Sequence, residues 1–478
     1  MAEKQKRGTE RAAGGAGREI ALEILLTLER EKQYANRLIK AALDKYDYFD
    51  SRDKAFIKRV TEGTLERQQE LDHYLDAFSS LPVKKMKPFI RCLLRMSVYQ
   101  ILYMEAVPDS AVCNEACKLA AKHSFGSLKG FVNGVLRSIS RNKGNLPLPE
   151  ESAEPIKYLA VKYSVPEWLV QFWLEEYGGE ITRTMLAGLK EIHPVSLRFS
   201  ERLSPEEIRQ LSEEIADRGA VLRESPYLSR VRLLEHGDGI VGLPGFAEGK
   251  WTVQDVSSAL AVELAGIRET DLVMDVCAAP GGKSIFAAEK AMKVLSRDVS
   301  EEKTGLIREN IARMGSKNIE VRTWDATCLD RAYEGKADVV LLDVPCSGLG
   351  VMGRKRDIGR HASREGMESL SALQREIVRV CSRYVKPGGT LLYSTCTIDP
   401  AENEEMVRFL AEELGMEPLS LEESLPELLL QQKRATEALR EKEGKDHGLT
   451  AAERRACIQL LPGYMEADGF FIARFKRK

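Results

Sequence analysis

The chain has 478 residues, of which 43% are hydrophobic and 30% charged, with a net charge of −2. This is ordinary globular composition, enough for two to four domains with cores of their own, and it excludes fibrous and wholly disordered classes. No apolar run reaches the roughly 18 residues a membrane span needs, and the near-neutral total does not by itself mark a nucleic-acid binder.

Residues 1–17 are polar, basic and rich in Gly and Ala. They lack the apolar segment of a secretory signal and read as a disordered tail. Residues 18–145 read as helical throughout. Ile20, Ala21, Ile24, Leu25 and Leu28 recur at helical spacing, as do Phe131, Val132, Val135, Leu136 and Ile139. Residues 92–103 are apolar almost all round, as expected of a helix at the centre of a bundle. Between residues 81 and 145, eleven Lys and Arg stand against Glu105, Asp109 and Glu115, a local excess of +8. Such an excess can neutralise phosphates; a solvated helix surface is an equally weighted alternative. Nine cysteines without an export signal point to reduced thiols and a cytoplasmic location. Cys113 and Cys117 are four apart but lack partners at zinc-ligand spacing, so they read as buried helix cysteines, and no metal is expected.

Residues 144–155 hold three prolines and several glutamates and read as a linker. A helical stretch follows over 156–189, then a strand over 195–199. Ser204-Pro205-Glu206-Glu207 combines an N-cap Ser, a Pro at the first helical position and a capping-box Glu. Gly219 closes that helix, and strands return near Val221 and over 231–234. Residues 146–255 are therefore a linker followed by a small α+β domain.

From residue 256 to 478, strands and helices alternate. Strands are expected over 272–276, 294–299, 319–324, 339–343 and 391–394. Helices are expected from Gly281, over 301–314 with Gly315 as the stop, and over 370–385, with a turn at Pro387-Gly388-Gly389. This pattern means a mainly parallel sheet covered by helices, with ligands at the C-terminal strand ends. Residues 426–462 read as a helical insertion without an evident chemical role.

Three features of that region carry chemistry. Asp275-Val276-Cys277-Ala278-Ala279-Pro280-Gly281-Gly282-Lys283 follows a strand and opens a helix, so small residues and free N–H groups face a ligand. It has neither P-loop spacing nor the G-x-G-x-x-G of a dinucleotide site, which disfavours a nicotinamide dehydrogenase. Asp275, Asp298, Asp325 and Asp343 stand at four successive strand ends; one such Asp is usually a helix cap, but four together point to a ligand crevice. Asp343-Val344-Pro345-Cys346-Ser347 and Tyr393-Ser394-Thr395-Cys396-Thr397 end two neighbouring strands and place two cysteines in the crevice. A lone crevice cysteine is usually a small buried hydrophobe. Two in these contexts suit thiolate addition to carbon 6 of a cytosine, which makes carbon 5 nucleophilic toward an electrophilic methyl group.

These strings, the loop over 353–356 and the closing Asp468-Gly469-Phe470-Phe471-Ile472-Ala473-Arg474 resemble the RNA cytosine-5 methyltransferase family. Within the helical N-terminus, Ser51-Arg52-Asp53, Gly63-Thr64-Leu65, Arg95-Met96-Ser97-Val98-Tyr99-Gln100 and Phe131-Val132-Asn133-Gly134-Val135-Leu136-Arg137 resemble the antitermination factor NusB. The combination is similar to the bacterial RsmB (Sun) type, which modifies 16S ribosomal RNA of the small subunit. The resemblance implies an all-α NusB-like RNA-binding domain over 18–145 and a Rossmann-like catalytic domain over 256–478 that uses S-adenosyl-L-methionine. It implies that Cys277, Ala278, Ala279, Pro280, Gly281, Gly282 and Lys283 wrap the methionine and ribose parts of that cofactor. Asp298 would hold the ribose hydroxyls, and Asp325 would sit on the adenine side. Asp343 would lie near cofactor and target base, Cys396 would be the nucleophile and Cys346 would assist product release. DNA cytosine methyltransferases use the Pro-Cys cysteine instead, and Thr395-Cys396 favours the RNA type. Ribosomal RNA is the expected partner of a monomer, with no membrane. Arg297 departs from the apolar residue expected before Asp298. The alternative is an RNA-binding assembly module whose methyltransferase half is vestigial.

Overall fold

The computed structural model describes residues 2–31, 35–46, 49–191, 194–236, 239–355, 357–445 and 447–478, with residues 2–14 and 236 described by their backbone alone. It divides into two compact units: Met1–Trp173 with Gly359–His361, and Leu174–Ile358 with Ala362–Lys478.

The first unit is helical: α1 (Ala2–Arg30), α2 (Ala35–Lys45), α3 (Ser51–Glu66), α4 (Gln68–Phe78), α5 (Pro88–Tyr103), α6 (Asp109–Lys122), α7 (Lys129–Arg141) and α8 (Pro155–Tyr163). Helix α1 begins at Ala2, whereas the composition of residues 1–17 predicts a disordered tail; the Ala, Glu, Lys, Gln and Arg of that segment are strong helix formers. Asp50 caps α3 by accepting from the Asp53 N–H at 2.8 Å. The apolar helix α5 is the buried centre, with Leu93, Leu94, Met96, Val98 and Ile101 wholly enclosed. Gly63 admits it, since a Cβ there would lie 2.0 Å from the Tyr99 ring. Arg95 crosses this core to grip Asp72 with two hydrogen bonds of 2.6 Å. The unit runs past the boundary expected at residue 145, because α8 packs on α4 and Ser164 accepts from the Gln69 N–H at 3.2 Å.

The chain enters the second unit within α9 (Glu167–Gly188), which breaks at Gly178, φ +77°. A four-stranded antiparallel sheet follows, with β1 (Val195–Phe199), β2 (Val221–Glu224), β3 (Val231–His236) and β4 (Trp251–Val253) in the order β2-β3-β1-β4. Helix α10 (Pro205–Ala216) starts on the expected capping box at Ser204 and Glu207, and its Ile208, Leu211 and Ile215 are buried.

The larger sheet holds β5 (Leu272–Asp275), β6 (Lys293–Asp298), β7 (Ile319–Thr323), β8 (Ala337–Asp343), β9 (Val385–Thr395), β10 (Glu417–Pro418), β11 (Cys457–Leu460) and β12 (Phe470–Lys476). Its order is β10-β12-β9-β8-β5-β6-β7, with β11 on β12. Strands β7, β6, β5, β8 and β9 are parallel, and β12 is antiparallel to β9. The chain steps outward from β5 to β7 and then returns to β8 on the far side of β5, so the switch point lies between β5 and β8, where a crevice opens. Helices α11 (Val256–Leu264), α12 (Gly282–Ala288) and α13 (Glu301–Met314) belong to this unit, and Gly315 closes α13 in the left-handed conformation.

The turn expected at Pro387-Gly388-Gly389 lies inside β9, where the β8–β9 register slips and Gly388 takes φ +76°. The insertion over 426–462 is not all helical. It contains helices Glu427–Lys442 and Ala451–Ala456, then strand β11, whose apolar Cys457, Ile458 and Leu460 are buried.

Candidate active site

The strand ends assemble the site. Asp343 is the last residue of β8, and its register partner on β9 is Ser394, whose hydroxyl donates to Asp343 Oδ1 at 2.9 Å. Cys346 and Cys396 follow these two residues on adjacent loops. Their sulfurs lie 3.1 Å apart. The hydrogen bond from the Cys346 thiol holds Cys396 below the ordinary thiol range, helped by the charges of Lys355 and Lys283 against the opposing effect of burial. The same bond, together with burial, pushes Cys346 well above it. The pair therefore carries one sulfur disposed to be a thiolate and one disposed to keep its proton.

Beside them, Lys283 Nζ donates to Asp343 Oδ2 at 2.7 Å and lies 5.4 Å from the centre of the Phe470 ring. Lys283 is thus tied to the cysteine side of the crevice. The turn ahead of it, 277–282, is braced from below. The Ala279 N–H donates to Asp298 Oδ2 at 2.9 Å and the Ala278 N–H to the Arg297 carbonyl at 2.9 Å, while Asn310 donates to the Pro280 carbonyl at 3.0 Å. Gly281 takes φ +102°, and a Cβ on it would press to 3.2 Å against Ile307. Burial pushes the Cys277 thiol well above its ordinary value, and the neighbouring Cys381, Asp298, Asp275 and Asp343 act in the same direction.

The four strand-end aspartates do not act alike. Asp298 closes β6 and also meets Lys303 at 3.1 Å. Asp325 is exposed two residues beyond β7, where it accepts from the Thr327 N–H and hydroxyl at 2.9 and 2.8 Å. Asp275 is fully buried and turned onto α12, accepting from Ser284 at 2.6 Å; burial raises its pKa to about 7, and its Oδ1 has no partner. Next to Gly282, the amide nitrogen of Gln254 is buried without a partner, while its oxygen accepts from Arg198 at 2.7 Å. The tight Gly281-Gly282 turn, the unpartnered Gln254 amide nitrogen and the carboxylates of Asp298, Asp325 and Asp343 fit a cationic group carrying hydroxyls and an amine.

Several site residues were not expected from the sequence. Glu402 and Gln374 are buried behind the Cys346 loop, and Asp399 faces Glu402. Arg354, in the loop singled out by the sequence, binds Asp468 at 2.8 Å and Asp255 at 3.1 Å; its neighbour Arg356 lies outside the described residues. Arg297 is enclosed against Asp330 at 2.6 Å and the rings of Trp324, Tyr333 and Tyr384, which accounts for a charged residue inside a strand. Among the described residues there is no cluster of three metal-binding side chains, and no helix is long and apolar enough to cross a membrane.

Residues 262–476 match the family described as 16S rRNA methyltransferase RsmB/F, and residues 16–141 match the NusB family. The chain is 34% identical over 471 residues to the probable ribosomal RNA small subunit methyltransferase B of Bacillus subtilis (strain 168), covering 96% of this chain and 98% of that protein. It is 30% identical over 430 residues to the ribosomal RNA small subunit methyltransferase B of Shewanella oneidensis, covering 88% and 90%. The crystal structure of PH0851 has the same fold, with a TM-score of 0.74 at 22% identity over 97% of this chain and 99% of that one. NSun6 from Pyrococcus horikoshii with SFG is similar in fold at a TM-score of 0.54 and 20% identity, over 65% of this chain and 98% of that one.

Proposed function

The chain belongs to the 16S rRNA methyltransferase RsmB/F family, and from that premise we propose that it methylates carbon 5 of a cytosine, with Cys396 as covalent nucleophile and Cys346 assisting release. It is an S-adenosylmethionine-dependent rRNA methyltransferase carrying a NusB-family domain. The substrate is small-subunit ribosomal RNA, and the work is done in the cytoplasm.

The observation that carries the cysteine chemistry is the 3.1 Å approach of the two sulfurs beside Asp343. The target base has to leave its stack to reach them. Cys396, the more acidic sulfur, adds to carbon 6 of the ring, and carbon 5 gains enamine character. Residues 277–282, Asp298 and Asp325 would hold S-adenosylmethionine, which when bound supplies an electrophilic methyl group. Asp343, fixed by Lys283 and Ser394, accepts a hydrogen bond from the cytosine edge and so orients the ring. Cys346 then helps remove the proton from carbon 5 or eases the elimination that breaks the bond between carbon 6 and Cys396.

Single-cysteine variants test this on unmodified small-subunit RNA. Cys396→Ala is expected to abolish methyl transfer. Cys346→Ala is expected to accumulate a covalent protein–RNA adduct that survives denaturing electrophoresis. The roles are exchanged if Cys346→Ala alone prevents the adduct while Cys396→Ala still turns over.

A further inference from the structure

The two cysteine loops are joined by cross-links placed one residue beyond each sulfur. Ser347, next to Cys346, donates its N–H to both carboxylate oxygens of Glu402, at 3.0 and 3.3 Å. Its hydroxyl lies 2.6 Å from the hydroxyl of Thr397, the residue next to Cys396. Glu402 is itself held from two sides. Gln374 donates to Glu402 Oε2 at 2.6 Å and, from the same amide nitrogen, to the Pro345 carbonyl at 2.9 Å. Tyr393 donates its hydroxyl proton to the Glu402 carbonyl at 2.6 Å. Glu402, Gln374, Tyr393 and Thr397 have no exposed surface. Residues 345–347 thus have both flanks of Cys346 attached to one buried clamp, and that clamp stands on the chain leaving Cys396.

Burying a carboxyl group is costly unless it is neutral or well supplied with donors. Glu402 has two donors, Ser347 and Gln374, and faces Asp399, which burial and the neighbouring Glu402 push up to about 8. Two buried carboxyl groups facing one another retain a proton more firmly than either would alone.

We propose that Glu402 is a positioning residue for Cys346, holding residues 345–347 so that the Cys346 sulfur stays within reach of Cys396 and the attached ring. The proposal rests on the assignment of Cys396 as nucleophile and Cys346 as the release group. Its consequence is specific: loosening the clamp reproduces the loss of Cys346 and not the loss of Cys396. Addition of Cys396 to the ring continues, and breakdown of the adduct slows.

The test compares Glu402→Ala, Gln374→Ala and Cys346→Ala in the full chain with S-adenosylmethionine and unmodified small-subunit RNA. Cofactor affinity, measured by calorimetry, serves as the control for folding. With that affinity intact, Glu402→Ala is expected to raise the steady-state fraction of denaturation-resistant adduct and to slow turnover by about tenfold to a hundredfold, the scale of a misplacement near 1 Å. Adding Cys396→Ala should remove the adduct. Should Glu402→Ala lose cofactor binding, Gln374→Ala decides, since it removes one support of the clamp and leaves the carboxylate. If Cys346→Ala traps RNA while the clamp variants release it at the normal rate, the positioning role is overturned. If Cys346→Ala itself traps nothing, the cysteine assignment falls, and the proposal falls with it.

Discussion

At the scale of single residues, the reactivity of Cys396 is a balance of a donated hydrogen bond and two cations against burial and Asp343. Lys283 is the cation built into that balance, because its ammonium group is fixed 2.7 Å from Asp343. Replacing it with methionine removes a charge that favours the thiolate, so the Cys396 pKa rises. The nucleophile works deprotonated, and the rate therefore climbs as pH rises through that pKa. Lys283→Met is expected to move the acidic limb of the kcat profile to higher pH and to slow turnover near neutrality about tenfold per pKa unit. Rates at saturating cofactor from about pH 5.5 to 9 measure this, and an unmoved limb would remove Lys283 from the activation of Cys396. The two cysteines are legible in the sequence because Pro-Cys and Thr-Cys sit in short strings that end apolar strands. Glu402 is not legible. It opens an acidic run, and acidic runs normally face water. Only the backward turn over 397–403 brings it beneath Ser347.

At the scale of elements, β5 and β8 are legible because each is an apolar run that closes on an aspartate, and periodicity reports such runs directly, whereas β6 and β7 carry charged residues and β9 closes on Thr395. Strand β9 and the insertion over 426–462 are less so. Gly388 and Gly389 are turn signals in isolation, but here they accommodate a bulge within a long strand. Strand β11 follows directly from the helix Ala451–Ala456 without a break that composition reveals. Gly350 shows how tightly the loops behind the cysteines meet. Its N–H donates to the Cys396 carbonyl at 3.1 Å, and its own carbonyl accepts from the Gly469 N–H at 2.9 Å. A Cβ at this position would lie 2.1 Å from the Gly469 carbonyl oxygen and 2.9 Å from that of Cys396. Backbone cannot move aside as a side-chain tip can. Gly350→Ala is accordingly expected to destabilise the protein by roughly 1–3 kcal/mol, the usual cost of forced overpacking, and to lower methyl transfer by displacing Cys396. Thermal denaturation with a parallel activity assay checks both, and a wild-type midpoint would mean that the two loops do not meet in this way.

At the scale of the whole molecule, near-neutral net charge conceals an uneven distribution, and the structure sharpens what the sequence could only count. Arg95 of the +8 stretch serves the fold of the first unit through its enclosed pair with Asp72, while Lys118 and Lys122 make exposed surface pairs with Glu115 and Glu19. Lys84, Lys85 and Lys87 are exposed around the start of α5, where Lys87 also lies 5.5 Å from the centre of the Phe125 ring. These three lysines are a compact exposed group within that stretch, which also exposes Lys129, Arg137, Arg141 and Lys143. Reversing all three to glutamate should weaken binding to small-subunit RNA and flatten its dependence on salt, by about one unit of log–log slope for each phosphate no longer neutralised. The folded core should be unaffected, because none of the three side chains lies within it. Filter binding across a salt series, alongside a thermal melt, separates the outcomes. Binding that keeps its affinity and its salt slope would remove Lys84, Lys85 and Lys87 from RNA capture.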